Sequence, residues 1–203
     1  MKKVCMLLSA GLFLFATGHL FAQKLVSGSF DALKGQKTVN IQYDYSKMAV
    51  GKFSNEQDYI NKRTADMNKK EAGTGDTWAK AWIADRDNRF HPMFEKNLNG
   101  KLAEYGVTCG QNAKDATYTF VFHVLFTEPG FNVGVTRQNA FINVVVDLVE
   151  TANPGTVLGS MSMNKVQSVY MGGYDFDTGA RIQSCYDRAG DWLGSFLIKN
   201  VLK

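Results

Sequence analysis

Cysteine and histidine are both scarce in this chain of 203 residues, with three of each. Cys5 and His19 fall within the first 22 residues, so the rest of the chain has Cys109, Cys185, His91 and His123. His91 precedes Pro92 at a helix start and His123 lies mid-strand, so neither spacing matches a metal pair. Zinc, nucleotide and haem signatures are absent, and no cofactor is expected. Long apolar runs are lacking too. After residue 22 nothing approaches the roughly 20 consecutive apolar residues that span a bilayer. Charge of one sign is equally lacking: the formal net charge is +4, and removing Lys2 and Lys3 leaves +2. So mild a surplus gives no argument for nucleic acid or an anionic membrane as partner.

What is present starts with MKKVCMLLSAGLFLFATGHLFA. A basic start, an apolar stretch from Val4 to Phe15 and a small-residue end at Ala22 have the order of a cleavable export signal. Cleavage is expected between Ala22 and Gln23, with Leu20 larger than usual for its place, and Cys5 precedes the apolar core instead of ending it as a lipid-attachment cysteine would. The expected location is therefore periplasmic or otherwise exported. About 180 residues remain, enough for one domain with its own core. In an oxidising compartment the remaining pair, Cys109 and Cys185, reads as one disulfide, worth about 4.5 kcal/mol in the chain-entropy model. Two ordinary buried thiols are the alternative.

Residues 23–36 are mixed in character and read as an N-terminal leader. KTVNIQYDYS alternates Val39, Ile41, Tyr43 and Tyr45 on one face, a strand pattern. A helical insert over residues 48–87 comes next. SNEQ opens it as a capping box from Ser54, and AGTGD breaks it; with no strand leading in and no GK[ST] after, that glycine-rich stretch reads as a turn. Trp78 and Trp82, four apart, face the same way, either as a core seam or as a platform for an apolar or carbohydrate ligand. Phe90, Phe94, Leu98, Leu102 and Tyr105 then recur at helical spacing and stop at Gly106.

ATYTFVFHVLFT places Tyr118, Phe120, Phe122, Val124 and Phe126 on one strand face; NAFINVVVDLVE does the same with Ile142, Val144, Val146 and Leu148. NPG turns the chain into a weaker strand, TVLGSMSMNKV. A last helix aligns Ile182, Cys185, Tyr186, Ala189, Leu193, Phe196, Leu197 and Val201. The expected fold is α+β: a two-layer sandwich with a four-stranded, mainly antiparallel sheet, helices on one face and the helical insert after the first strand, all in a single domain over residues 37–203.

FEKNLNGKLAEYGV, then the strand DATYTFVFHV and then VVVDLVETANPG, resembles small exported domains of Gram-negative envelopes, such as the TolB N-terminal domain, LptE and auxiliary parts of ABC transport systems. The resemblance spans roughly residues 37–203 and is one of arrangement, not of a motif. It implies assembly or accessory work without catalysis. The insert and the missing lipid-attachment cysteine depart from it.

Catalytic candidates are thin. FDTGA looks like the turn of aspartic proteases, which need two such carboxylates, and there is no second copy. An N-cap from Asp177 or Thr178 is the simpler role. Asp175 and Asp177 in DFDTG could ligate a cation at a loose surface site, yet a calcium loop ends in glutamate where this chain has Tyr186. Antiparallel pairing brings His123 diagonal to Asp147, which fits a structural hydrogen bond, since no serine or cysteine is marked as a nucleophile. The twelve residues EPGFNVGVTRQN between the two strongest strands are too long for a tight turn. They read either as a projecting arm presenting Phe131, Asn132, Val133 and Arg137 to a partner, or as a loop folded back with Phe131 buried. The chain is thus expected to be a non-enzymatic envelope accessory protein contacting a protein partner, the alternative being a periplasmic binding module built on Trp78 and Trp82.

Overall fold

The computed structural model describes residues 23–169 and 172–203, so the expected export signal lies outside the described residues. In chain order the elements are β1 (Gln23–Gly28), β2 (Thr38–Asp44), β3 (Ala49–Val50), α1 (Glu56–Asn68), α2 (Thr74–Asp85), α3 (His91–Leu102), β4 (Thr108–Gly110), β5 (Tyr118–Glu128), β6 (Phe131–Asn132), β7 (Arg137–Gln138), β8 (Phe141–Glu150), β9 (Asn153–Gln167) and α4 (Thr178–Leu197). The architecture is α+β. Among the described residues its main sheet has seven strands in the order β1-β9-β8-β5-β2-β4, with β3 beside β5.

This corrects the expected four-stranded, mainly antiparallel sheet. β1, β9, β8 and β5 are antiparallel, but β2 lies parallel to both β5 and β4. The reason is the helical segment itself: the chain leaves β2 at Asp44, and α1, α2 and α3 form a crossover that carries it back to the end of the sheet where β2 began. Residues 23–36, read as a leader, instead supply edge strand β1 and a short 3-10 turn that drops Phe30 and Leu33 into the core. The ring of Phe30 meets Phe120 at 6.2 Å and Phe196 at 5.4 Å. The helix cap also shifts by one residue, from Ser54 to Asn55, whose Oδ1 accepts the Asp58 N–H at 2.9 Å.

The core lies between the sheet and α3 and α4, which run parallel to each other: Phe90 before α3 stacks on Tyr186, and Lys101 at its end pairs with Asp191. Phe120, Phe122 and Val124 of β5, Ile142 to Leu148 at alternate positions of β8, and Phe94 and Leu98 of α3 are buried, as is the stripe of α4 from Ile182 to Leu197. Each such side chain taken out of water stabilises the fold by about 1.5–3 kcal/mol. Phe126 departs from the expected face. A bulge at Leu125 breaks the register between Val124 and Phe126, so Phe126 turns outward onto Phe141, ring centres 5.4 Å apart, and Thr127 turns in.

The expected disulfide is absent: Cys109 and Cys185 are both free and buried. Cys109 sits in β4 at one edge of the sheet, where Asn99 of α3 bonds both its main-chain groups at 2.7 and 2.8 Å. Cys185 faces inward from α4, its sulfur 3.5 Å from the Arg181 carbonyl. Burial pushes each thiol up to about 12.

Glycine sets how closely α3 and α4 approach. A β-carbon on Gly190 would lie 2.6 Å from the Phe94 carbonyl oxygen and 3.0 Å from the Leu98 nitrogen, and one on Gly194 would lie 2.7 Å from Lys101 Cβ. Gly190→Ala is therefore expected to destabilise by about 1–3 kcal/mol through overpacking. A lower urea midpoint checks this; an unchanged midpoint would mean the helices part there without cost.

Candidate functional site

Glu128 to Asn139 forms a short hairpin arm at the end of β5. Gly130, at φ 61°, starts it where a side chain would collide with the Gln138 carbonyl oxygen at 2.4 Å. β6 pairs with β7 through Phe131↔Gln138 and Asn132↔Arg137. The tip closes with the Val133 N–H donating to the Thr136 carbonyl at 3.0 Å and with Gly134 at φ 84°. Asn132 Oδ1 accepts the Gly134 N–H at 2.9 Å, fixing the turn from inside.

The base of the arm is held by two buried charged groups. Asp175, wholly buried in the 3-10 turn Gly172–Phe176, accepts from Asn132 Nδ2 at 2.8 Å and from Arg137 Nε at 3.1 Å. Arg181, in the first turns of α4 and 3 % exposed, donates to the carbonyls of Pro129 and Gly130, each at 3.2 Å, of Asp175 at 2.6 Å, and to the Thr178 hydroxyl at 2.9 Å. Burying charges without such partners is costly, so the set holds only as a whole. The outer side of the arm is apolar and open: Phe131 is 42 % exposed and, at the tip, Val133 63 % and Val135 97 %, while Phe176 in the 3-10 turn is 61 % exposed. Of the two expected forms of the loop, the structure has an arm whose base is folded back and whose tip is free.

Asn132 and Arg137, expected as contacts, thus turn inward to the clamp, while Phe131, on the rung nearer β5, is exposed on the outer face of the hairpin and Val133 lies at the tip. Val135, Phe176 and Arg181 were not among the expected residues. Arg181 carried a signal in the sequence, a lone charge adjoining Ile182 on the apolar stripe of a helix. Asp175 and Asp177 do not converge on one point: Asp177 caps α4 through the Gly179 N–H at 2.8 Å and pairs with Arg89 at 2.6 Å. Among the described residues no cluster of three or more histidine, cysteine or acidic side chains is arranged for a metal ion, and no helix is long and apolar enough to cross a membrane.

Trp78 and Trp82 close on Tyr59, with ring centres 5.6 and 5.1 Å away, and seam α2 to α1. Trp82 Nε1 donates to Glu56 at 2.6 Å, and Glu56 also holds Arg86, whose guanidinium lies 3.9 Å above the Tyr45 ring. The cavity that Trp82 lines is about 10 Å³, room for one water at most. Deeper in, the Tyr45 hydroxyl meets His91 Nε2 at 2.9 Å and the Tyr186 hydroxyl at 3.0 Å, and Tyr43 stacks on His91 at 3.7 Å. On the far face of the sheet His123 lies between two carboxylates, Nδ1 2.8 Å from Asp44 and Nε2 3.4 Å from the diagonal Asp147. Burial works against ionisation of Asp44, but hydrogen bonds from Ser46 and His123 outweigh it and hold the carboxyl down at about 2.

No known protein family matches this chain, and no curated protein is similar to it. Solved structures of low likeness exist. A PelC dodecamer from Paraburkholderia phytofirmans is 12 % identical, with 81 % of this chain and 96 % of that one covered at a TM-score of 0.37. A point variant of PelC from the same organism, also a dodecamer, is 13 % identical, with coverage of 81 % and 95 % and a TM-score of 0.35. Likeness at this level says nothing about what this chain does.

Two outcomes are expected here. Arg181→Met leaves three carbonyls without their donor, which should cost about 3 kcal/mol and speed amide exchange over residues 131–138 more than in β8, as hydrogen exchange would read. Burial pulls the His91 imidazole down to about 4, against about 6.5 when unfolded. The folded chain thus resists a proton that the unfolded chain takes up, so the stabilisation is complete above pH 6.5 and is lost as pH falls toward 4. The urea midpoint should fall across that window, and His91→Gln should flatten the fall.

Proposed function

We propose that this chain is an exported, non-enzymatic accessory protein of the cell envelope that meets a protein partner through the tip of its hairpin arm. The observation that carries this reading is a set of apolar side chains, Phe131 on the outer face of the arm and Val133 and Val135 at its tip, standing in water on a base fixed by buried Asp175 and Arg181. Exposed apolar groups on a well-anchored hairpin bind with little ordering cost, because their backbone is already fixed. The export-signal pattern of the first 22 residues and the resemblance to small envelope domains support the location. That catalysis plays no part is supported by His123, whose two ring nitrogens both face carboxylates, and by the thiols of Cys109 and Cys185, which burial keeps protonated.

The test is affinity purification from the native envelope in mild detergent, comparing the unaltered protein with Val135→Asp. A surface change of this kind alters stability by no more than about 0.5 kcal/mol. The expected outcome is a stoichiometric partner that co-elutes with the unaltered protein and is lost from the variant at unchanged melting temperature. A partner retained by Val135→Asp would remove the arm from the contact.

A further inference from the structure

Strand β2 is covered along only part of its outer edge. β4 pairs with it from Thr38↔Thr108 to Asn40↔Gly110 and ends there, whereas β5 holds the inner edge on to Asp44. Main-chain groups of successive strand residues point to opposite edges. The Lys37 carbonyl accepts the Thr108 N–H at 2.9 Å, so Val39, Ile41 and Tyr43 aim outward on the same side. Beyond Gly110 the carbonyl of Ile41 and both main-chain groups of Tyr43 face no strand among the described residues.

A cleft of about 550 Å³ runs along this edge, with Asn40, Gln42, Tyr43, Gln111, Lys114 and Thr151 in its walls. Asn40 is 3 % exposed, its Nδ2 on the Thr119 hydroxyl at 3.2 Å and its Oδ1 without a partner. The Asn40 amide in the wall of the cleft is thus left half-bonded. Tyr43 has its ring stacked on His91, so main-chain groups and amides, not a ring face, are what the cleft offers.

We propose that this edge is a strand-addition site: an extended segment of a partner protein, with an acidic side chain for Lys114, pairs with β2 from Ile41 to Tyr43. Main-chain hydrogen bonds supply the affinity and the Lys114 ammonium selects the charge. The site is independent of the hairpin arm, since Asn40 lies opposite Thr119 near the start of β5 and the arm leaves from Glu128 at its end.

The test pans random dodecapeptides displayed on phage against the protein, with the folded Lys114→Glu protein as counter-selection, and resynthesises what is enriched. Acidic peptides should emerge whose affinity falls about tenfold or more with Lys114→Glu and again on N-methylation of alternate amides, a loss of about 1.4 kcal/mol each time. Their binding should slow amide exchange at Tyr43. Peptides indifferent to N-methylation, or none enriched over the counter-selection, would overturn strand addition. Saturable binding of oligogalacturonate with no peptide enriched would also overturn it, and would make the cleft an acidic-sugar site.

Discussion

The buried guanidinium of Arg181 is the constraint around which one end of the molecule is organised. Its donors are shared among carbonyls from the exit of β5 and the 3-10 turn before α4, and the Thr178 hydroxyl in the first turn of α4. A methionine could fill the space, but only a planar, permanently charged fork can satisfy so many acceptors at once. Asp175 answers from the other side, sealed from water and held by Asn132 and Arg137. The arm is thereby an extension of the core and not an appendage to it.

Elements whose side chains report their own burial were legible in the sequence. The stripe of α3 from Phe94 to Leu102 and that of α4 from Ile182 to Leu197 lie on the core as their spacing predicts, with Phe90 before α3 and Val201 after α4, and so do Val39 and Ile41 of β2. What the periodicity concealed was pairing. β1 is nearly all exposed and β4 has three residues, so neither shows an alternation to detect. The parallel course of β2 and β5 was implied by the three helices between them, because such a crossover is how parallel neighbours are joined. The bulge at Leu125 left no mark, since Phe126 suits either face of a sheet.

The candidate site was legible only in outline. The length of EPGFNVGVTRQN and its turn residues pointed to an arm, but its clamp depends on Asp175 and Arg181, distant in sequence and reading there as a capping region. The tryptophans left a core seam and a ligand platform both open, because a pair of rings four apart says nothing about what lies opposite. Tyr59 lies opposite, and Glu56 takes the indole N–H.

The two cysteines bear on how the chain can be made. One sits under β4 and the other under α4, each surrounded by apolar groups and protonated at any physiological pH. Attaining this fold therefore calls for no oxidant and no isomerase to correct a wrong bridge. A protein so built can reach the same native state in a reducing compartment as in an oxidising one.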